Sequence, residues 1–160
     1  MTETLLTPQN NNFVGAKFYN SAWQLNIASA TQTNINFDST SYDVGSNFTT
    51  GSNPYYTIPT TGYYFIGLNV RWSSVVDQKR YYCVIANGDY EGVNTELALG
   101  INTASGVANL TVNCSTGEYL TAGDKIYFGV YHDTGTSAPD ISYPEKNTYG
   151  FVHQLATLGK

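Results

Sequence analysis

Between Gly62 and Trp72 the chain reads GYYFIGLNVRW, and Tyr64, Ile66, Leu68, Val70 and Trp72 fall at every second position. Successive side chains of a strand point to opposite faces, so these five line one face of an extended segment. Ile126, Phe128 and Val130 repeat the pattern within YLTAGDKIYFGVYHDTG (119–135), behind a Gly123-Asp124 turn. Two strands of this kind, each with one apolar face, predict the facing layers of a sandwich. Further strands are expected at 14–20, 31–37, 54–59, 79–87, 96–101, 107–114 and 148–156, and the second block contributes 123–132. Turn signals at Asn87-Gly88, Ser105-Gly106, Thr116-Gly117, Ala122-Gly123 and Thr134-Gly135 separate apolar runs. No segment carries a helical period with caps. The expected fold is all-β, a two-sheet antiparallel jelly-roll sandwich.

The faces opposite the core are informative as well. On 62–72 that face carries Tyr63, Phe65, Gly67 and Asn69, and its first half is too apolar to be left in water. A second subunit or a loop of the same chain must cover it. In the last strand Tyr149, Phe151 and His153 share one side and Gly150, Val152 and Gln154 the other, and either side reads as a core. In the other sheet, inward Ile126, Phe128 and Val130 leave Tyr127 and Tyr131 outward, while 79–87 offers Tyr81 or Tyr82. Tyr81, Tyr127 and Tyr131 are therefore a candidate ligand face, since tyrosine rings cover apolar sugar patches while hydroxyls fix orientation. The competing explanation is the ordinary preference of tyrosine for half-buried strands.

Composition narrows the function classes. A chain of 160 residues is one domain's worth and buries a core without metals or disulfides. Charged residues are 12% and aromatics 14%, while Asn, Ser and Thr make up roughly three residues in ten. A net charge of −5 without a basic cluster argues against nucleic acid. No apolar run is long enough for a membrane span, and the opening MTETLLTPQNNN has no secretion-signal pattern. Residues 1–12 are read as a polar arm, with 13–160 as the folded domain. Cys83 and Cys114 sit in strand-like runs and read first as small core hydrophobes, with a bridge between them as the lesser alternative.

Catalytic and metal readings find little. His132 and His153 are the only histidines and lie in strands without a nucleophile motif. Asp38, Asp43, Asp89, Asp124 and Asp133 occur singly at turns, where carboxylates accept bonds from backbone amides. No carboxylate pair of the glycosidase kind and no dense oxygen cluster for calcium can be picked out. We expect no enzyme, no cofactor and no metal site.

Several pieces together resemble a known family. INFDSTSYD (35–43), YTIPTTGYYFIGLNV (56–70), VIANGD (84–89), YLTAGDKIYFGVY (119–131) and YGFVHQLA (149–156) look like the jelly-roll domain shared by the complement C1q globular head and tumour necrosis factor. The openings FVGAKFYNSAWQ and VRWSS look most like its phage and bacterial versions. The resemblance implies a homotrimer, with Tyr63 and Phe65 near a threefold axis, Gly67 allowing close approach, and Tyr149 and Phe151 contributing to subunit contacts. With no collagen-like stalk, the expected role is a phage virion structural protein: a trimeric capsid decoration or short head-fibre subunit at the virion surface, held to a capsid protein by residues 1–12. The alternatives are a host-recognition module of a tail or surface fibre, binding a receptor or surface glycan, and a bacterial extracellular adhesive or spore-coat domain.

Overall fold

A computed structural model describes residues 13–88, 95–135 and 137–157. The proposed arm at 1–12 and the turn residue Asp89 lie outside them. Its strands are β1 (Gly15–Tyr19), β2 (Thr33–Asn34), β3 (Ser39–Val44), β4 (Phe48–Thr49), β5 (Tyr55–Thr57) and β6 (Gly62–Ser73). They continue as β7 (Arg80–Asn87), β8 (Thr95–Thr103), β9 (Asn109–Leu120), β10 (Lys125–His132), β11 (Asp140–Ile141) and β12 (Tyr149–Thr157). All pair antiparallel.

The alternating strand 62–72 is the middle of the first sheet. β9 pairs with β6 along its whole length, from Gly62↔Leu120 to Ser73↔Asn109. β12 takes the other side up to Tyr149↔Asn69, β11 continues at Trp72 and Ser73, and β1 and β3 follow beyond β12. The second sheet runs β8–β7–β10, with β5 and then β4 beside the start of β10 and β2 beside its later half. β8 and β9, consecutive in the chain, are thus the outer strands of two different sheets, and they meet along one side of the sandwich.

The period-two reading of both principal strands holds. Tyr64, Ile66, Leu68, Val70 and Trp72 are buried, as are Ile126, Phe128 and Val130 opposite them. Phe18 from β1 sits among Phe37, Phe48 and Phe128 with centroids 5.0, 4.3 and 4.9 Å away. At the other end Trp72 packs on Tyr81 and His132, at 5.1 and 5.5 Å. His132 is a satisfied core side chain, with Nε2 2.8 Å from the Ile27 carbonyl and Nδ1 3.0 Å from Thr134 Oγ1.

Two expectations fail for local reasons. Thr116-Gly117 is no turn: β9 runs through it to Leu120, because Gly117 opposite Phe65 needs only its backbone to continue the ladder. The 31–37 run pairs only at Thr33–Asn34, yet Ile35 and Phe37 enter the core from the irregular chain that follows. The turn aspartates behave as expected. Asp43 accepts bonds from the amides of Asn47 and Phe48, Asp124 from Thr121, and Asp133 from Arg80.

A fully buried indole that joins both sheets should be costly to remove. Trp72→Ala should lose about 3–5 kcal/mol of stability in urea titration. A loss under about 1 kcal/mol would mean that the sheets do not close over this ring.

Candidate functional site

The outer face of the first sheet divides in two. One half is polar: Asn69 Nδ2 donates to the Asn147 carbonyl at 2.7 Å, Arg71 reaches Asn147 Oδ1 at 3.4 Å, and Asn113 and Thr111 of β9 are exposed beside them. The other half is aromatic and uncovered. Tyr63 is 48% exposed, Phe65 39% and Tyr119 47%. No loop among the described residues shields them.

Register brings these rings together. Tyr63 stands opposite Tyr119 on β9, with centroids 5.2 Å apart. Phe65 lies 5.4 Å from Phe151 of β12, and Phe151 lies 4.8 Å from the His153 ring. Gly67 has a different job from the one expected. A Cβ there would collide with the Phe151 ring, so Gly67 is the floor on which a ring of its own chain rests, and it is not free for a neighbour's backbone. Tyr149 sits at the polar margin, with the Lys17 ammonium 4.7 Å from its ring centre and the Glu145 carboxylate 3.0 Å from that ammonium. Facing in β12 is settled: Gly150 and Val152 turn inward, and Tyr149, Phe151 and His153 turn outward.

Sequence reasoning missed Tyr119, Tyr42 and Phe13. A turn placed at Thr116-Gly117 hid the pairing of Tyr119 with Tyr63. Tyr42 and Phe13 close the patch around His153: the Tyr42 hydroxyl is 2.6 Å from His153 Nε2, and Phe13 meets both rings edge-on at 5.9 and 5.2 Å. Burial among these rings holds the His153 imidazole below its ordinary 6.5.

The second sheet corrects the candidate ligand face. Tyr81 is fully buried, because its neighbours in phase, Cys83 and Ile85, also point inward; its hydroxyl accepts the Val76 amide at 2.6 Å. Tyr127 points outward but is 7% exposed, and its ring lies 5.6 Å from Tyr55. The accessible pair is Tyr82 and Tyr131, edge-to-face at 5.2 Å, with Ile101 of β8 next to Tyr82 in register. Arg80 lies over the Tyr82 ring at 5.9 Å and pairs with Asp133 at 3.0 Å. Leu99 and Ile101, 43% and 55% exposed, make a second apolar patch on the outer strand β8.

Among the described residues no three His, Cys, Asp or Glu converge on a metal position.

No protein-family model and no curated protein matches the chain. Solved structures do. Eiger TNF from S. frugiperda superposes with a TM-score of 0.70 at 14% identity, over 93% of this chain and 96% of that one. Murine APRIL gives 0.68 at 14% identity over 89% and 99%, and the globular domain of zebrafish complement 1qA gives 0.61 at 13% over 91% and 99%. The chain therefore has the C1q/TNF-like jelly-roll fold. These animal proteins overturn the assignment to a phage or bacterial branch, and with it the virion role, the capsid partner and the virion or bacterial-surface setting. FVGAKFYNSAWQ contains β1, paired with β12 and β3, and VRWSS closes β6, and both send side chains into the core.

A histidine with a depressed pKa stabilises the fold only while neutral. Above 6.5 folded and unfolded chains bind the same number of protons at His153; as pH falls below 6.5 the unfolded chain binds more, and stability drops. The thermal midpoint should fall between pH 6.5 and 5, and His153→Gln should flatten that segment. An unchanged slope in the variant would place the titrating group elsewhere.

Proposed function

We propose that this chain is the subunit of a homotrimeric receptor-binding module that works outside the cell. The observation that carries the reading is the aromatic half-face of the first sheet, Tyr63, Phe65 and Tyr119 with partly exposed Phe151, which no described residue covers. A monomer rarely exposes contiguous rings of this kind, and association removes them from solvent. Likeness in fold to TNF, APRIL and complement 1qA supports a recognition role better than a part of a particle.

Two chemically similar patches on different parts of the surface favour a ring. The aromatic face belongs to the first sheet, whereas Leu99 and Ile101 belong to the outer strand of the second. A contact between unlike patches is heterologous, and it closes when the rotation per subunit divides a full turn. In this arrangement β8 of one protomer seats on β6, β9 and β12 of the next. The polar half of the face stays outward, as does Tyr131 of β10, one strand further from β8 than Tyr82, and Tyr131 marks the surface we assign to the partner.

Light scattering tests the assembly. The wild type should have the mass of three chains, and Phe65→Asp or Ile101→Asp should each give monomer, since either places an unpaired charge in the contact. Mixed together, the two variants should form a dimer, because one intact face meets one intact edge. Recovery of no dimer, or a wild type that stays monomeric, would refute the ring. For the recognition surface, Tyr131→Ala should keep the trimer mass and weaken binding of the labelled protein to receptor-bearing cells by about tenfold, a hot-spot-sized loss. Loss of the trimer in that variant would mean that the subunit contact lies on the second sheet.

A further inference from the structure

Cys83 and Cys114 are 31 positions apart in sequence and belong to different sheets, yet their sulfurs approach to 3.4 Å. Cys83 is on β7 and fully buried; Cys114 is on β9 and half-buried, at the side where β8 and β9 meet. The approach is built into the backbone. Gly100, the residue of β8 opposite Cys83, is packed against the Asn113 carbonyl of β9, and a Cβ at Gly100 would sit 2.8 Å from Cys83 Sγ as well as striking that carbonyl. A glycine therefore lets the outer strands of the two sheets close on each other, and this brings the thiols together.

We propose that Cys83 and Cys114 are a redox-active dithiol, oxidised by a small disulfide such as glutathione disulfide to a bond that staples the two sheets at their β8–β9 side. The pair is asymmetric in the way such chemistry requires. Cys83 can donate its S–H to Cys114, which favours the Cys114 thiolate, helped by the Gly100 amide; the same bond and burial hold Cys83 protonated. Cys114, the more exposed sulfur, attacks glutathione disulfide, whose S–S bond breaks and releases one glutathione thiolate that takes up a proton. Cys83 then loses its proton to solvent and attacks Cys114 Sγ, expelling the second glutathione. The protein gives up two electrons and two protons, and one glutathione disulfide becomes two glutathiones.

The inference stands apart from the trimer reading. The full chain is equilibrated in glutathione buffers from fully reduced to fully oxidised, at high dilution and at high concentration, so that an edge covered by a neighbour is told apart from an inert pair. Intact mass, free-thiol titration and thermal midpoint are read. The expected oxidised product is lighter by two hydrogens, has no free thiol, and melts roughly 10 °C above the reduced form, the size of effect expected for a crosslink closing a loop of this length. Cys114→Ser, whose substitution is at the half-buried position, should keep its fold and lose both the mass change and the redox dependence of the midpoint. Thiols that stay free in oxidising buffer at every dilution, or a stable glutathione adduct at Cys114 without an internal bond, would overturn the proposal.

Discussion

Closure of two pleated faces over one apolar layer is the constraint on which everything else rests. β6 supplies Tyr64, Ile66, Leu68, Val70 and Trp72, β10 supplies Ile126, Phe128 and Val130, and these eight side chains are buried together. Because strand side chains alternate, burying one set commits the other to the outside. The exposed rings of Tyr63 and Phe65 are therefore no accident of packing. They follow from the same register that fills the core, and no described residue of the chain covers them.

Much of this architecture was legible because it rests on long alternating runs. Both principal strands, the inward set on each and the apolar half-face at Tyr63 and Phe65 follow from period two alone. Short strands were not legible: β3 reads STSYDV, whose partly exposed residues carry little apolar pattern, and it exists because β1 offers it an open edge. A glycine after threonine looks like a turn, but at Gly117 the partner strand holds the backbone extended across from Phe65. The tyrosine doublet at 81–82 was ambiguous in isolation. Its phase was available from Cys83 and Ile85, which place Tyr81 with the core.

Function was less legible than fold, for a physical reason. Alternation, turns and burial are demands of the sandwich, and any chain that closes two sheets must meet them. Lineage and setting leave no such mark, so segments such as VRWSS, which serve β6 and its turn, say nothing of the particle or cell around them. What a surface does is written in what it leaves unsatisfied. Here that is an aromatic half-face, an apolar outer strand, and a tyrosine pair beside Arg80.

Phe151 resting on Gly67 has a consequence for the proposed association of copies. With Phe65 on one flank and His153 on the other, this ring is already locked in place in the lone chain. Rotamer freedom that a docking surface ordinarily surrenders at encounter has been surrendered here during folding. Such preorganisation would make docking in the proposed trimer a step of rigid bodies, governed by orientation in diffusion and not by side-chain search.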